Sequence, residues 1–401
     1  MSSFTTHINA LTTPGTNGIP AVSVAAVNPT GKTLLQHYAG HTLLASTAAP
    51  ISERSIFRLS SSTKILTAIA ALQCVERGQL ILDEPVIRWL PELREKQIIT
   101  LAPPETKDDD KPKFSFKPAT TEITLRMLLT HTSGIGTDIL HPLLRAWRAS
   151  RNEPPQAVAG SALKSWDMPL LFEPGTSWMY SSGYDAVGVL VGRLNDTDLE
   201  GYMQRNVFAP LGLKDSTFFI KREGREEMLG RLVDCVTRTK EGVLVPWPSQ
   251  TGDNPPEAQG SGGLFASVPD FVAMLGDLIK EQPKLLKRET VDLLFSPQLQ
   301  SKDTVKEAFE QARPLWGAMM GELVQGVEAE FGLGGLLVTS DSQGLGNIKG
   351  TLCWAGATGT FWLINRERGV AAVYATQVFP PNDEKGWELM QEFVREVWKV
   401  C

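Results

Sequence analysis

The chain has 401 residues, 42% hydrophobic and 21% charged, with a formal net charge of -6. That much apolar material excludes global disorder, and the length exceeds what one core usually serves, so two packed lobes are expected. The acidic balance argues against nucleic acid as a partner, because phosphate binding needs a basic face.

Residues 1–13 read as a lead-in helix. Ile19 to Val27 is strand-like, Asn28-Pro29-Thr30-Gly31 is a turn, and Thr33 to Ala39 reads as a partner strand. A hairpin therefore opens the fold. Over residues 61–77, Ile65, Ile69 and Leu72, with Leu66 and Ala70, recur at helical spacing, and Gly78 closes the helix. Asp83-Glu84-Pro85 starts another short helical segment. Residues 103–118 are charged and Pro-rich and are expected to form a solvated surface loop. Residues 122–130 and 184–212 read as mostly helical. Ser267, with Pro269 in the first turn and Asp270 three residues on, starts a helix running to about Lys280. Gly359 to Ile364 and Val370 to Gln377 are apolar runs joined by a hairpin-like Asn365–Gly369 segment. The chain ends in an amphipathic helix with Trp387, Met390, Val394 and Val397 on its core face.

Strands at both ends and helices between predict an α/β (α+β) fold. A mainly antiparallel sheet, flanked by helices, is built from residues 1–85 and 330–401, and a mostly helical lobe, 86–329, is inserted. Cys74, Cys235, Cys353 and Cys401 lie far apart without a C-x-x-C pair, so free thiols are expected. No H-E-x-x-H cluster occurs, and neither a metal nor another cofactor is implied. The N-terminus lacks the basic and apolar regions of a secretory signal, and no stretch approaches the ~18 apolar residues of a membrane span. A cytoplasmic protein without a membrane partner is expected.

Ser61-Ser62-Thr63-Lys64 carries the strongest chemical signal. An S-x-x-K at a helix start puts a hydroxyl and an amine about one turn apart on one face. A serine is a poor nucleophile until a base takes its proton, and a lysine serves as that base when its surroundings disfavour the ammonium form. Ser60 and Ser62 are rival nucleophiles, but only Ser61 has a lysine three residues on. His131 is a weaker candidate base, because the S-x-x-K arrangement already contains one.

The segment from Phe57 to Pro85, FRLSSSTKILTAIAALQCVERGQLILDEP, resembles the nucleophile region of the serine β-lactamase-like superfamily. Leu128–Gly134 (LLTHTSG), Phe172–Ser182 (FEPGTSWMYSS), Gln259–Leu264 and Trp354-Ala355-Gly356 match later landmarks of that group in order. Within it, Leu140–Arg145 and the helix around Cys74 are most similar to fungal lovastatin-type polyketide acyltransferases. The resemblance implies that Tyr180 shares proton transfer with Lys64. It also implies an oxyanion hole from the Ser61 N–H and a second donor near Gly356 or Ala357. The family's Tyr-x-Asn is here Tyr180-Ser181-Ser182, which leaves Ser182 to replace an amide. The Lys-Thr-Gly of true β-lactamases is replaced by Trp354-Ala355-Gly356, which argues for ester or thioester substrates over β-lactams. Trp147, Trp178, Trp354 and Trp362 are candidates to line an apolar acyl pocket.

The expected activity is serine acyl transfer from a thioester or ester donor to an alcohol of a secondary metabolite, through acyl-Ser61. Coenzyme A or a carrier-protein domain would deliver the acyl group to a monomeric enzyme. An esterase or thioesterase hydrolysing the same intermediate is the alternative. A β-lactamase or peptidase lacks its third-motif lysine, and a silent binding protein would not require Ser61, Lys64 and Tyr180 together.

Overall fold

The opening hairpin forms where the turn residues place it. After α1 (Ser3–Leu11), strands β1 (Ala21–Val27) and β2 (Thr33–Gly40) pair antiparallel. Asn28 Oδ1 accepts the Thr30 and Lys32 amides, so one side chain builds the turn. This is a computed structural model, and it describes residues 3–45, 48–102, 112–157, 160–247, 255–299, 303–341 and 348–401.

Strand β3 (Ile56–Arg58) feeds a 3₁₀ turn, Ser60–Thr63, and then α2 (Lys64–Glu76). Gly78 follows α2 in the left-handed conformation, at φ 69°. Every residue of α2 from Lys64 to Cys74 is buried, as expected of a helix that is apolar on all faces.

Strands β4 (Gln97–Leu101) and β5 (Phe114–Pro118) form an antiparallel ribbon with Ile99 opposite Phe116. This corrects the expectation of loop through residue 118. The rest of that charged run, 103–111, lies outside the described residues. Most of β5 is exposed and is held by backbone pairing, so little burial marks it in the sequence.

The helical middle comprises α3 (Leu125–Leu129), α4 (Pro142–Ser150), α5 (Ala162–Trp166), α6 (Gly183–Leu194), α7 (Leu199–Met203) and α8 (Ala209–Leu211). Short strand β6 (Ser216–Thr217), helix α9 (Glu226–Leu229) and strands β7 (Val236–Arg238), β8 (Leu244–Pro246) and β9 (Phe265–Ser267) follow. Ser267 caps α10 (Val268–Asp277) by accepting the Asp270 amide. Helices α11 (Arg288–Leu294), α12 (Asp303–Gln311) and α13 (Arg313–Met320) lead back to the sheet.

That sheet is completed by β10 (Ala329–Phe331), β11 (Leu336–Val338), β12 (Thr351–Gly356), β13 (Thr360–Asn365) and β14 (Val370–Ala375). Strand β15 (Val378–Phe379) and α14 (Glu384–Val400) end the chain. The seven strands run β10-β11-β12-β13-β14-β1-β2, every pair antiparallel, with Ser23 opposite Ala375 where the two ends of the chain meet. Strands β1, β12, β13 and β14 are buried along their whole length. Strands β1 and β14 read as continuous Val- and Ala-rich runs because helices cover them: α10 packs on β1 and β14, and α14 on β14 and β2. The fold is thus α/β with an antiparallel sheet from both termini, as expected. Among the described residues no helix is long and apolar enough to cross a membrane.

Candidate active site

The nucleophile turn lies against the end of the sheet where β12 turns into β13. Thr360 Oγ1 donates to the Leu59 carbonyl at 2.9 Å, and Thr358 Oγ1 to the Arg58 carbonyl at 2.8 Å. Ser60 takes a positive φ of 47°, an uncommon backbone for a side-chain-bearing residue. These contacts occupy the rival hydroxyls. Ser60 Oγ is 3.1 Å from Thr358 Oγ1, and Ser62 Oγ is fully buried 3.1 Å from Thr360 Oγ1.

Ser61 is left turned into a cavity of about 190 Å³ whose wall includes Lys64, Tyr180, Ser182, Asp185 and Ala357. Tyr180 Oη donates to Ser61 Oγ at 2.7 Å, and Lys64 Nζ lies 3.4 Å from the same atom. Ser61 sits in the 3₁₀ turn ahead of α2, and the i, i+3 spacing still stacks it on Lys64. The amine also donates to the Ser261 carbonyl at 2.7 Å and lies 4.7 Å from the Tyr180 ring centre. A cation over an aromatic face is attracted to it, so Lys64 and Tyr180 hold each other in place.

Tyr180 is fixed by His131 from both sides along the chain. The His131 carbonyl accepts the Met179 amide at 3.0 Å, and its Nδ1 accepts the Ser181 amide at 3.2 Å. Nδ1 therefore carries no proton, and the neutral ring holds its hydrogen on Nε2. Burial, helped by the Lys64 charge, pushes the His131 pKa well below the ordinary value. His131 is a support and does not touch the Ser61 hydroxyl.

The tryptophans are corrected by position. Trp354 stacks behind Tyr180 at 5.5 Å, and Trp178 meets the edge of His131 at 5.8 Å. Both are buried, and neither borders the cavity. Trp362 is fully buried opposite Trp354, and Trp147 flanks a separate polar groove with Arg148 and Arg151. The apolar wall of the cavity includes Ile139, Leu140, Leu264 and Phe265. Gly356 lies beneath the nucleophile turn, while Ala357 is exposed at the cavity. Ser182 borders the cavity from the first position before α6. The four cysteines are free, and among the described residues no cluster of metal ligands occurs.

Asp185 is the residue that sequence reasoning missed. It is buried beside the cavity, accepting from the Ser261 amide at 2.8 Å and from Ser165 Oγ at 2.7 Å. Burial raises its pKa, while those two hydrogen bonds and the Lys64 charge favour the carboxylate. An acid in the first turn of a helix reads as a partner for the helix dipole, so nothing in the spacing marks it.

A serine hydroxyl in contact with an amine and a phenol, set against the end of an antiparallel sheet, defines the serine β-lactamase-like class. The chain belongs to the Beta-lactamase family, whose match runs over residues 8–395. It is 35% identical to acyltransferase calJ of Penicillium decumbens over 92% of this chain and 86% of that one. It is 33% identical to the lovastatin esterase of Penicillium rubens over 89% of this chain and 88% of that one. A structure of a LovD6 mutant of simvastatin synthase from Aspergillus terreus superposes with a TM-score of 0.85 at 30% identity, covering 99% of this chain and 93% of the other. The chain is thus an enzyme of the acyltransferase and ester-hydrolase branch of that family.

Proposed function

We propose that the enzyme moves an acyl group from a thioester or ester donor to an alcohol of a secondary metabolite, through an acyl-Ser61 intermediate. The observation that carries this is the joint approach of Tyr180 Oη and Lys64 Nζ to Ser61 Oγ at the cavity. Ser61 Oγ attacks the donor carbonyl, and its proton passes to the Tyr180–Lys64 pair. The tetrahedral oxyanion is held by the N–H groups of Ser61 and Ala357. Collapse breaks the bond to the leaving thiol or alcohol, which takes the proton from the pair. The acceptor hydroxyl then gives its proton to the pair as its oxygen attacks the acyl carbon, and Ser61 leaves with that proton.

Kinship with calJ and with simvastatin synthase supports a transferase. A coenzyme A or carrier-protein thioester is the proposed donor, used by a monomer in the cytoplasm. Hydrolysis is the second reading, favoured by the comparable kinship with an esterase. The test offers an acyl thioester with and without candidate alcohols and follows ester and free acid by mass. Capture of the acyl group as ester supports the transferase; free acid alone, whatever alcohol is added, selects the hydrolase.

A further inference from the structure

We infer that Asp185 is a positioning residue for Lys64, acting through the backbone of Ser261. The inference rests on the proposed roles of Ser61 and Lys64. Asp185 opens α6, and one carboxylate oxygen accepts the Ser261 N–H while the carbonyl of the same residue accepts Lys64 Nζ at 2.7 Å. The other oxygen accepts Ser165 Oγ on α5. Thus one buried side chain ties α5, α6 and the 259–264 segment at the point where the amine is held. Thr67, one turn below Lys64, secures the neighbouring Gly260 carbonyl at 2.8 Å.

The arrangement has two consequences. The carbonyl that orients Lys64 toward Ser61 is fixed in place without any contact to substrate. Burial raises the Asp185 pKa, and the nearby Lys64 charge works against that shift and favours the carboxylate. The other titratable groups facing the amine are Tyr180, Tyr184 and His131. The Tyr184 hydroxyl donates to the Leu129 carbonyl at 2.6 Å, and burial holds it well above the ordinary phenol value. His131 is neutral. Beside Tyr180, which shares the proton work, Asp185 is therefore the acid whose charge bears on Lys64.

Asp185→Asn separates charge from shape. The amide oxygen can accept the Ser261 N–H. Its NH₂ can donate to Ser165 Oγ, whose own proton can then turn to the Ala162 carbonyl at 2.8 Å. The experiment measures acylation of Ser61 by a p-nitrophenyl ester, as burst rate and intact mass, from pH 5 to 10. For Asp185→Ala, which removes both bonds, the expected result is a burst rate lower by about 10-fold or more with KM within about twofold, and Asp185→Asn, which keeps the bond to Ser261, should restore most of that rate. An Asp185→Ala rate within twofold of wild type, or an Asp185→Asn rate as low as that of Asp185→Ala, would overturn the inference. Should that variant not fold, Ser165→Ala decides. It removes the tie of the carboxylate to α5, so the burst rate should fall with KM unchanged; a wild-type burst rate overturns the inference. Absence of a Ser61 adduct in the wild-type enzyme counts against the proposed function itself, whereas normal acylation with indifferent variants counts only against Asp185.

Discussion

The Tyr180 hydroxyl donates to Ser61 Oγ at 2.7 Å although 119 residues separate the two. Neither is held by its own element alone. Ser61 is seated by the threonines of the β12–β13 turn, and Tyr180 by the backbone and ring of His131. The site is a meeting of three distant segments, and each can be loosened separately.

The three adjacent serines should part company on substitution. Ser61→Ala is expected to abolish the acyl adduct seen by intact mass. Ser62→Ala should keep the adduct and lower stability by about 1 kcal/mol, since it loses one buried hydrogen bond to Thr360. Ser60→Ala should also keep it. An adduct that survives in Ser61→Ala would falsify the assignment of the nucleophile.

Lys64→Ala and Tyr180→Phe are each expected to slow acylation by ~10²-fold or more, the usual contribution of a positioned acid or base. Tyr180→Phe keeps the stack on Trp354 and removes only the oxygen, so its melting temperature should stay close to wild type. A single-turnover rate near wild type in either variant contradicts the assigned role.

These residues were legible because motif order marks them, and the hairpin of β1 and β2 because Asn28-Pro29-Thr30-Gly31 announces its turn. The second β-ribbon was hidden by the opposite circumstance. Phe114–Pro118 follows a charged stretch and is mostly exposed, so composition speaks for loop while backbone pairing makes a strand. Trp354 and Trp178 show a different limit. A tryptophan near a motif can face the ligand or stand behind the residue that does, and only packing distinguishes the two. Asp185 was missed because its partners, Ser165 and Ser261, lie 20 and 76 residues away in sequence.

Gly356 should be intolerant of any side chain. An added Cβ would lie 2.2 Å from Thr360 Oγ1 and 2.3 Å from the Leu59 carbonyl oxygen, the two atoms that bond to seat the nucleophile turn. Gly356→Ala is therefore expected to cost about 1–3 kcal/mol of stability, the range for overpacking, and to lower the acylation rate as well. Urea unfolding and burst kinetics read the two effects. An alanine variant with unchanged midpoint and rate would show that β12 does not press on the turn as described.

His131 should give the fold an acid-side weakness. The unfolded chain protonates a histidine near pH 6.5, whereas the buried ring does so only at a much lower pH. Above about pH 6.5 both states are neutral there and the residue adds no pH dependence. Below it the unfolded state takes up a proton that the folded state refuses. Stability then falls as pH drops, by up to about 1.4 kcal/mol per pH unit, until the folded pKa is reached. His131→Asn is the informative comparison. Asparagine tolerates the positive φ of 62° at this position, and its side-chain oxygen can accept the Ser181 amide in place of Nδ1, yet it does not titrate. Urea midpoints at pH 7.5, 6.5 and 5.5 should fall more steeply for the wild type than for the variant. Other groups titrate in both proteins, so the difference between the two slopes isolates the ring. Parallel slopes would mean that the imidazole takes up its proton in the folded state as readily as in water, and the neutral clamp on Tyr180 would have to be abandoned.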